Sequence, residues 1–173
     1  MFGNLKLENL EKLYIDELKD AYDFEHQLLD ALPKMEEAAH TGELKQAFRE
    51  HRRETEGQVR RLEQVFRSLG REAERKTCKG MKGLIAEGEE YIKAKGDEAT
   101  LDAALISAAQ RVEHYEMAVY GTLRTYAEAL GREDQARLLD QTLDEESAAD
   151  EKLSDLARSG INAEALQVAF AAR

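Results

Sequence analysis

The chain has 173 residues, 35% of them charged, with a formal net charge of −11, one proline and no tryptophan. That length suits one ordinary domain with a sizeable core, and the abundance of Ala, Leu, Glu, Lys and Arg suits helices. The acidic balance argues against nucleic acid or an anionic membrane surface as a partner, and the single Cys78 excludes an intramolecular disulfide framework.

At the N-terminus, Met1 to Lys6 lack the apolar stretch of a signal peptide, and a cytoplasmic setting is expected. A first helix is predicted from about Glu8 to Ala39, with a bend at Pro33, which removes one hydrogen bond. His40, Thr41 and Gly42 break the pattern, with Thr41 available as N-cap of a second helix from about Glu43 to Leu69 that ends at Gly70. The segment from Arg71 to Asp97 is rich in Lys, Arg and Gly and holds one short helical pattern around Met81 to Ala94. Its basic part, Arg71 to Lys82, reads as a solvated crossover or as a surface for the acidic helices of a second subunit. The lysines beside Cys78 would lower its pKa, although a bystander thiol is the simpler reading.

A third long helix runs from about Glu98 to Leu130, ended by Gly131, and a fourth from about Glu133 to Arg158, closed by Gly160. The tail from Ala163 to Arg173 is either a short docked helix or a frayed end. No apolar run approaches the roughly 18 residues of a membrane span. The pattern predicts an all-α fold: a four-helix bundle of two helical hairpins joined by a long crossover containing a short helix. No boundary divides it, so residues 1–173 are expected to form a single domain.

Four glutamates fall on or beside the apolar stripes. Glu25 interrupts Leu18, Tyr22, Leu29 and Leu32; Glu116 interrupts Ala109, Val112, Val119 and Leu123. Glu146 lies between Leu139, Thr142, Ala149 and Leu153, while Glu54 lies beside Phe48, His51, Thr55 and Leu62. A buried carboxylate costs several kcal/mol unless something compensates it. Each glutamate stands on the order of 20 Å from its turn, near mid-length, so the two hairpins can bring all four to one level. That convergence points to a bound cation, although Arg61, Arg111 and Arg124 offer neutralisation without one. Bundle-core di-iron and di-manganese sites use two glutamates and two Glu-x-x-His pairs. Here Gly57 and Ala149 occupy the histidine positions, and the nearest replacements are His51, Gln58 and Asp150. A carboxylate-rich shell suits iron or manganese, one or two ions per chain.

Several stretches, in this order and spacing, resemble the YciF/YciE family of bacterial stress-associated proteins, which are ferritin-like. They are Asp16 to Met35, Phe48 to Phe66, Thr77 to Gly88, Asp102 to Gly131 and Leu138 to Ala157. The resemblance implies a ferritin-like bundle, a cytoplasmic bacterial setting, a homodimer and induction under stress, without fixing an activity. It matches Glu25, Glu54, Glu116 and Glu146 to the core carboxylates of such bundles. His51, Glu113, Gln58 and Asp150 occupy the adjoining helical turns, and Tyr22 and Tyr120 stand one turn from core glutamates. A metal in that place could react with peroxide or dioxygen. The rival expectation is a non-catalytic bundle serving packing or partner binding.

Overall fold

The computed structural model describes residues 7–171, with side chains to residue 167. Met1 to Lys6 and the last residues of the tail therefore lie outside the described residues. Every regular element within them is helical: α1 Leu10–Ala38, α2 Gly42–Ser68, α3 Lys79–Lys93, α4 Glu98–Ala129, α5 Glu133–Leu156 and α6 Asn162–Ala171. Hairpins α1–α2 and α4–α5 pack side by side, α1 against α4 and α2 against α5, and α3 lies across α1 and α4. This is the ferritin-like four-helix bundle with one long crossover. None of these helices is long and apolar enough to cross a membrane.

Local chemistry sets the helix ends. Asn9 accepts from the Lys12 N–H at 2.9 Å to start α1, and Asp97 accepts from the Thr100 N–H at 2.9 Å to start α4. The ends of α2 and α4 repeat one motif. Gly70 (φ 68°) donates to Arg67 while Arg71 reaches back to Phe66; Gly131 (φ 69°) donates to Glu128 while Arg132 reaches back to Ala127. Both glycines sit in the left-handed region that L side chains avoid, which is why each hairpin turns or stops where it does.

As expected, α1 continues through Pro33 to Ala38. Two expected details differ. The Thr41 hydroxyl caps nothing. Instead the buried carboxylate of Asp102, on α4, accepts from the backbone N–H groups of His40 (2.7 Å) and Thr41 (2.8 Å) and stands 3.1 Å from His40 Nδ1. A side chain from across the bundle thus anchors the turn ahead of α2. Gly160 closes nothing either: the chain leaves α5 at Leu156 through a π-helical turn, Ala157–Ile161, and runs on into α6.

The basic crossover is tied to α1 of its own chain. Arg75 and the Cys78 N–H both reach Asp23 (2.9 and 2.8 Å), Lys76 pairs with Asp16 at 2.5 Å, and the Lys76 N–H donates to the Lys19 carbonyl at 3.1 Å. The Cys78 side chain is buried; its sulfur lies 3.4 Å from the Met81 N–H and 3.2 Å from the Tyr115 hydroxyl. Burial pushes this thiol up, opposite to the effect expected from its neighbouring lysines. The core around these anchors is ordinary bundle packing, with Leu18, Phe24, Leu62, Leu105, Leu123 and Leu139 all buried.

Candidate metal centre

At mid-height of the bundle the apolar packing gives way to acid. Glu25, Glu116 and Glu146 are fully buried, and Glu113 and His51 nearly so. Helical spacing explains the grouping: Glu113 and Glu116 lie one turn apart on the same face of α4. His51 enters from α2 and Glu146 from α5. One ligand atom from each of His51, Glu113, Glu116 and Glu146 lies within 4.8 Å of the others. The Nε2 of His51 stands 3.5 Å from Glu113 and 3.7 Å from Glu146.

Around this group stands a ring of polar side chains. Tyr120, also buried, donates to Glu25, and Gln58 donates to Glu146. Glu54 contacts His51 Nδ1 at 3.3 Å from outside, with 47% of its side chain exposed. Its place beside the stripe rather than on it turns Glu54 out of the bundle, so the structure does not bring it into the buried group. Asp150 is also left out: it accepts from Gln110 at 3.1 Å and lies 3.4 Å from the exposed His114. Tyr22 reaches Glu63 at 3.2 Å and no core glutamate. Glu145, which the sequence reading passed over, flanks the site and takes Arg61 at 3.0 Å and Gln58 at 3.3 Å. Its own position carried no apolar periodicity that could have marked it.

The arginines that might have neutralised the core are engaged elsewhere. Arg61 is held by Glu145 and Thr142, Arg111 by Glu87 and Arg124 by Asp140. The buried oxygens are accordingly orphaned. No hydrogen-bond donor reaches Oε2 of Glu25, Oε2 of Glu113, either oxygen of Glu116, or Oε2 of Glu146. Burial, followed by repulsion from Glu146, pushes the Glu25 and Glu116 carboxyls well above the ordinary carboxylate value. Burial does the same to Glu113 against the opposing pull of His51, and it raises Glu146. Burial alone would lower the His51 imidazole, but Glu113, Glu54 and Glu146 outweigh it and lift it to about 10. Burial thus favours the neutral carboxyls, while the surrounding acids favour the charged imidazole. Inward-facing carboxylate oxygens with no hydrogen-bond partner, an imidazole nitrogen beside two of them and no arginine committed to them form a set that fits a hard or borderline divalent cation.

Comparison with known proteins agrees with the architecture. The chain is 45% identical to protein YciF of Escherichia coli (strain K12) over 162 residues, 93% of this chain and 98% of that one. The crystal structure of the E. coli stress protein YciF matches with a TM-score of 0.86 at 46% identity, covering 90% of this chain and 98% of that one. YcfI from Rhodopseudomonas palustris matches with a TM-score of 0.85 at 42% identity, covering 88% and 98%. The resemblance first seen in the order of short sequence stretches is therefore a relationship over nearly the whole chain. With residues 9–166 matching the family described as Domain of unknown function (DUF892), the chain belongs to that family.

Proposed function

We propose that this chain is a ferritin-like stress-associated protein that binds one or two iron or manganese ions in the core of its bundle. The observation that carries this reading is the set of buried carboxylate oxygens on Glu25, Glu113, Glu116 and Glu146 that no donor reaches. His51, Glu113, Glu116 and Glu146 would hold the first ion, and Glu25, whose charge acts on Glu116, stands ready for a second, weaker position. Such an ion would supply redox chemistry toward peroxide or dioxygen, in keeping with the stress protein YciF among its relatives.

The remaining work falls to side chains. Glu54 accepts from His51 Nδ1, which fixes the ring and leaves Nε2 facing Glu113 and Glu146. Tyr120 and Gln58 each occupy one oxygen of a core carboxylate and so fix where the other points. We further propose a cytoplasmic homodimer with no nucleic-acid or membrane partner, in line with the acidic balance.

A second reading has its own support. Burial holds the core carboxyls toward their neutral forms, so a non-catalytic bundle serving packing or partner binding could keep them without metal. Metal content separates the two. Protein purified without chelator or affinity metal should carry one to two iron or manganese ions per chain by plasma mass spectrometry. A value near zero that anaerobic iron(II) titration cannot raise favours the structural reading.

A further inference from the structure

Two cavities meet at the candidate centre from opposite sides, and Phe48, His51 and Glu113 line both. The one beneath α3 is about 40 Å³ and is walled mainly by aliphatic side chains such as Leu28, Leu32, Leu84 and Ile85, with the Lys34–Glu89 ion pair also in its lining. The one between α2 and α5 is about 110 Å³, and its lining includes Glu50, Glu54 and Lys152 beside Ala47, Ala148 and Ala149. The small side chains make the second opening. Ala149 stands three residues after Glu146, where a Glu-x-x-His plan would place a bulky ligand, and the alanine leaves that volume free.

We propose that the cavity between α2 and α5 is the route by which a divalent cation enters and leaves the centre, an inference that rests on the metal-binding reading above. Three observations carry it. Glu113, 2% exposed and with an unpartnered Oε2, lines this cavity, so the cavity reaches the buried group. Glu54 lies half in solvent while touching His51, so a carboxylate bridges the mouth and the buried group. The outer charges, Glu50 and Glu54 against Lys152, leave the mouth net negative, with Lys152 paired to Glu50 across the gap from α5 to α2. A hydrated cation sheds water by steps along such a path, exchanging it for carboxylate oxygens, whereas the cavity beneath α3 has only Glu89 ahead of its aliphatic walls, and Lys34 and Lys93 both hold that carboxylate. Lys152 acts as the opposing charge that any entering cation must displace from Glu50.

Stopped-flow competition for manganese(II) against a fluorescent chelator reads the route through rate and final stoichiometry, with no turnover needed. Ala149→Leu fills the cavity and should slow uptake about tenfold or more, with the same manganese per chain at the end. Lys152→Gln should speed uptake about threefold at low salt, and the gain should shrink as ionic strength rises, because it reports steering by exposed charge. Leu84→Phe narrows the aliphatic cavity instead and should leave the rate unchanged. Circular dichroism and melting of each variant show that the bundle is intact. If wild-type protein takes up no manganese or iron, both the centre and its route are overturned. If wild type binds but Ala149→Leu and Lys152→Gln load at its rate, or Leu84→Phe is the slow variant, the route alone is overturned.

Discussion

Two kinds of buried carboxylate stand within this one bundle. Asp102 is as deeply buried as the core glutamates and Asp23 nearly so, yet their oxygens are filled from within the protein. Asp23 takes the Cys78 N–H, Gln27 and Arg75; Asp102 takes the His40 and Thr41 N–H groups. Glu116 is buried to the same degree and receives nothing on either oxygen. The first pair holds chain segments in place, Asp23 the crossover and Asp102 the turn between α1 and α2. Burial alone therefore does not separate the two kinds of carboxylate; the presence or absence of a donor does.

The largest expected effect tests the unfilled side. Glu116→Ala combined with Glu146→Ala should abolish stoichiometric iron or manganese by plasma mass spectrometry while helix content by circular dichroism stays close to wild type. Retention of wild-type metal in that double variant would sink the assignment to these residues.

The next effect is one of opposite signs. Asp102→Ala strands two backbone N–H groups that are otherwise paired, each worth about 1–3 kcal/mol, and should lower stability by urea unfolding accordingly. In chelator-treated protein Glu116→Leu removes an unpaired buried acid and should instead raise stability, by about 1–4 kcal/mol if it behaves like other buried charged groups replaced by apolar ones. Equal destabilisation by both would mean that Asp102 and Glu116 serve the fold alike.

How much of this contrast could be read beforehand follows from periodicity. Glu25, Glu116 and Glu146 interrupt apolar stripes at helical spacing, and all three are buried; Glu54 lies beside its stripe and is half exposed. Asp102 obeys the same spacing with Leu105, Ile106 and Ala109 and was equally legible, but a search for convergent glutamates passes over an aspartate near a helix start. Gly70 and Gly131 marked their helix ends because a left-handed residue is a local requirement. The π-helical turn after Leu156, the pairing of the basic crossover with α1 and the raised Cys78 thiol depend on what packs opposite. Residue order along one helix does not carry that.

Acid and base should also act on the two kinds of carboxylate in opposite directions. For Asp23, burial is outweighed by the Cys78 N–H, Gln27 and Arg75, which leave its carboxyl below the ordinary value. The stability it contributes is therefore present above the unfolded value, near pH 4, and is lost as pH falls through the lower folded value. For Glu25, Glu113 and Glu116 the folded values are raised, so the metal-free protein is favoured at low pH and loses stability as pH rises above about 4.5. Thermal melts of chelator-treated protein should fall from pH 6 to pH 9, and saturating manganese should flatten that slope, because bound metal already requires the carboxylates ionised. Parallel slopes with and without metal would place the ion outside this group.

The smallest effect sharpens the boundary between filled and unfilled. Glu25 has one oxygen satisfied by Tyr120 and one left open, so it stands between the two kinds. Tyr120→Phe removes that donor with little change in shape, and burial would then act on Glu25 with less opposition. In metal-free protein the loss should be about 1 kcal/mol, the net worth of one hydrogen bond. Loaded protein should keep its first ion, since His51, Glu113, Glu116 and Glu146 are untouched, while any second ion, which depends on Glu25, should bind more weakly in manganese titration. A variant that loses both ions together would join Glu25 to the main group. One that loses neither, yet melts lower without metal, would place Glu25 with Asp23 and Asp102 among the carboxylates that serve the fold.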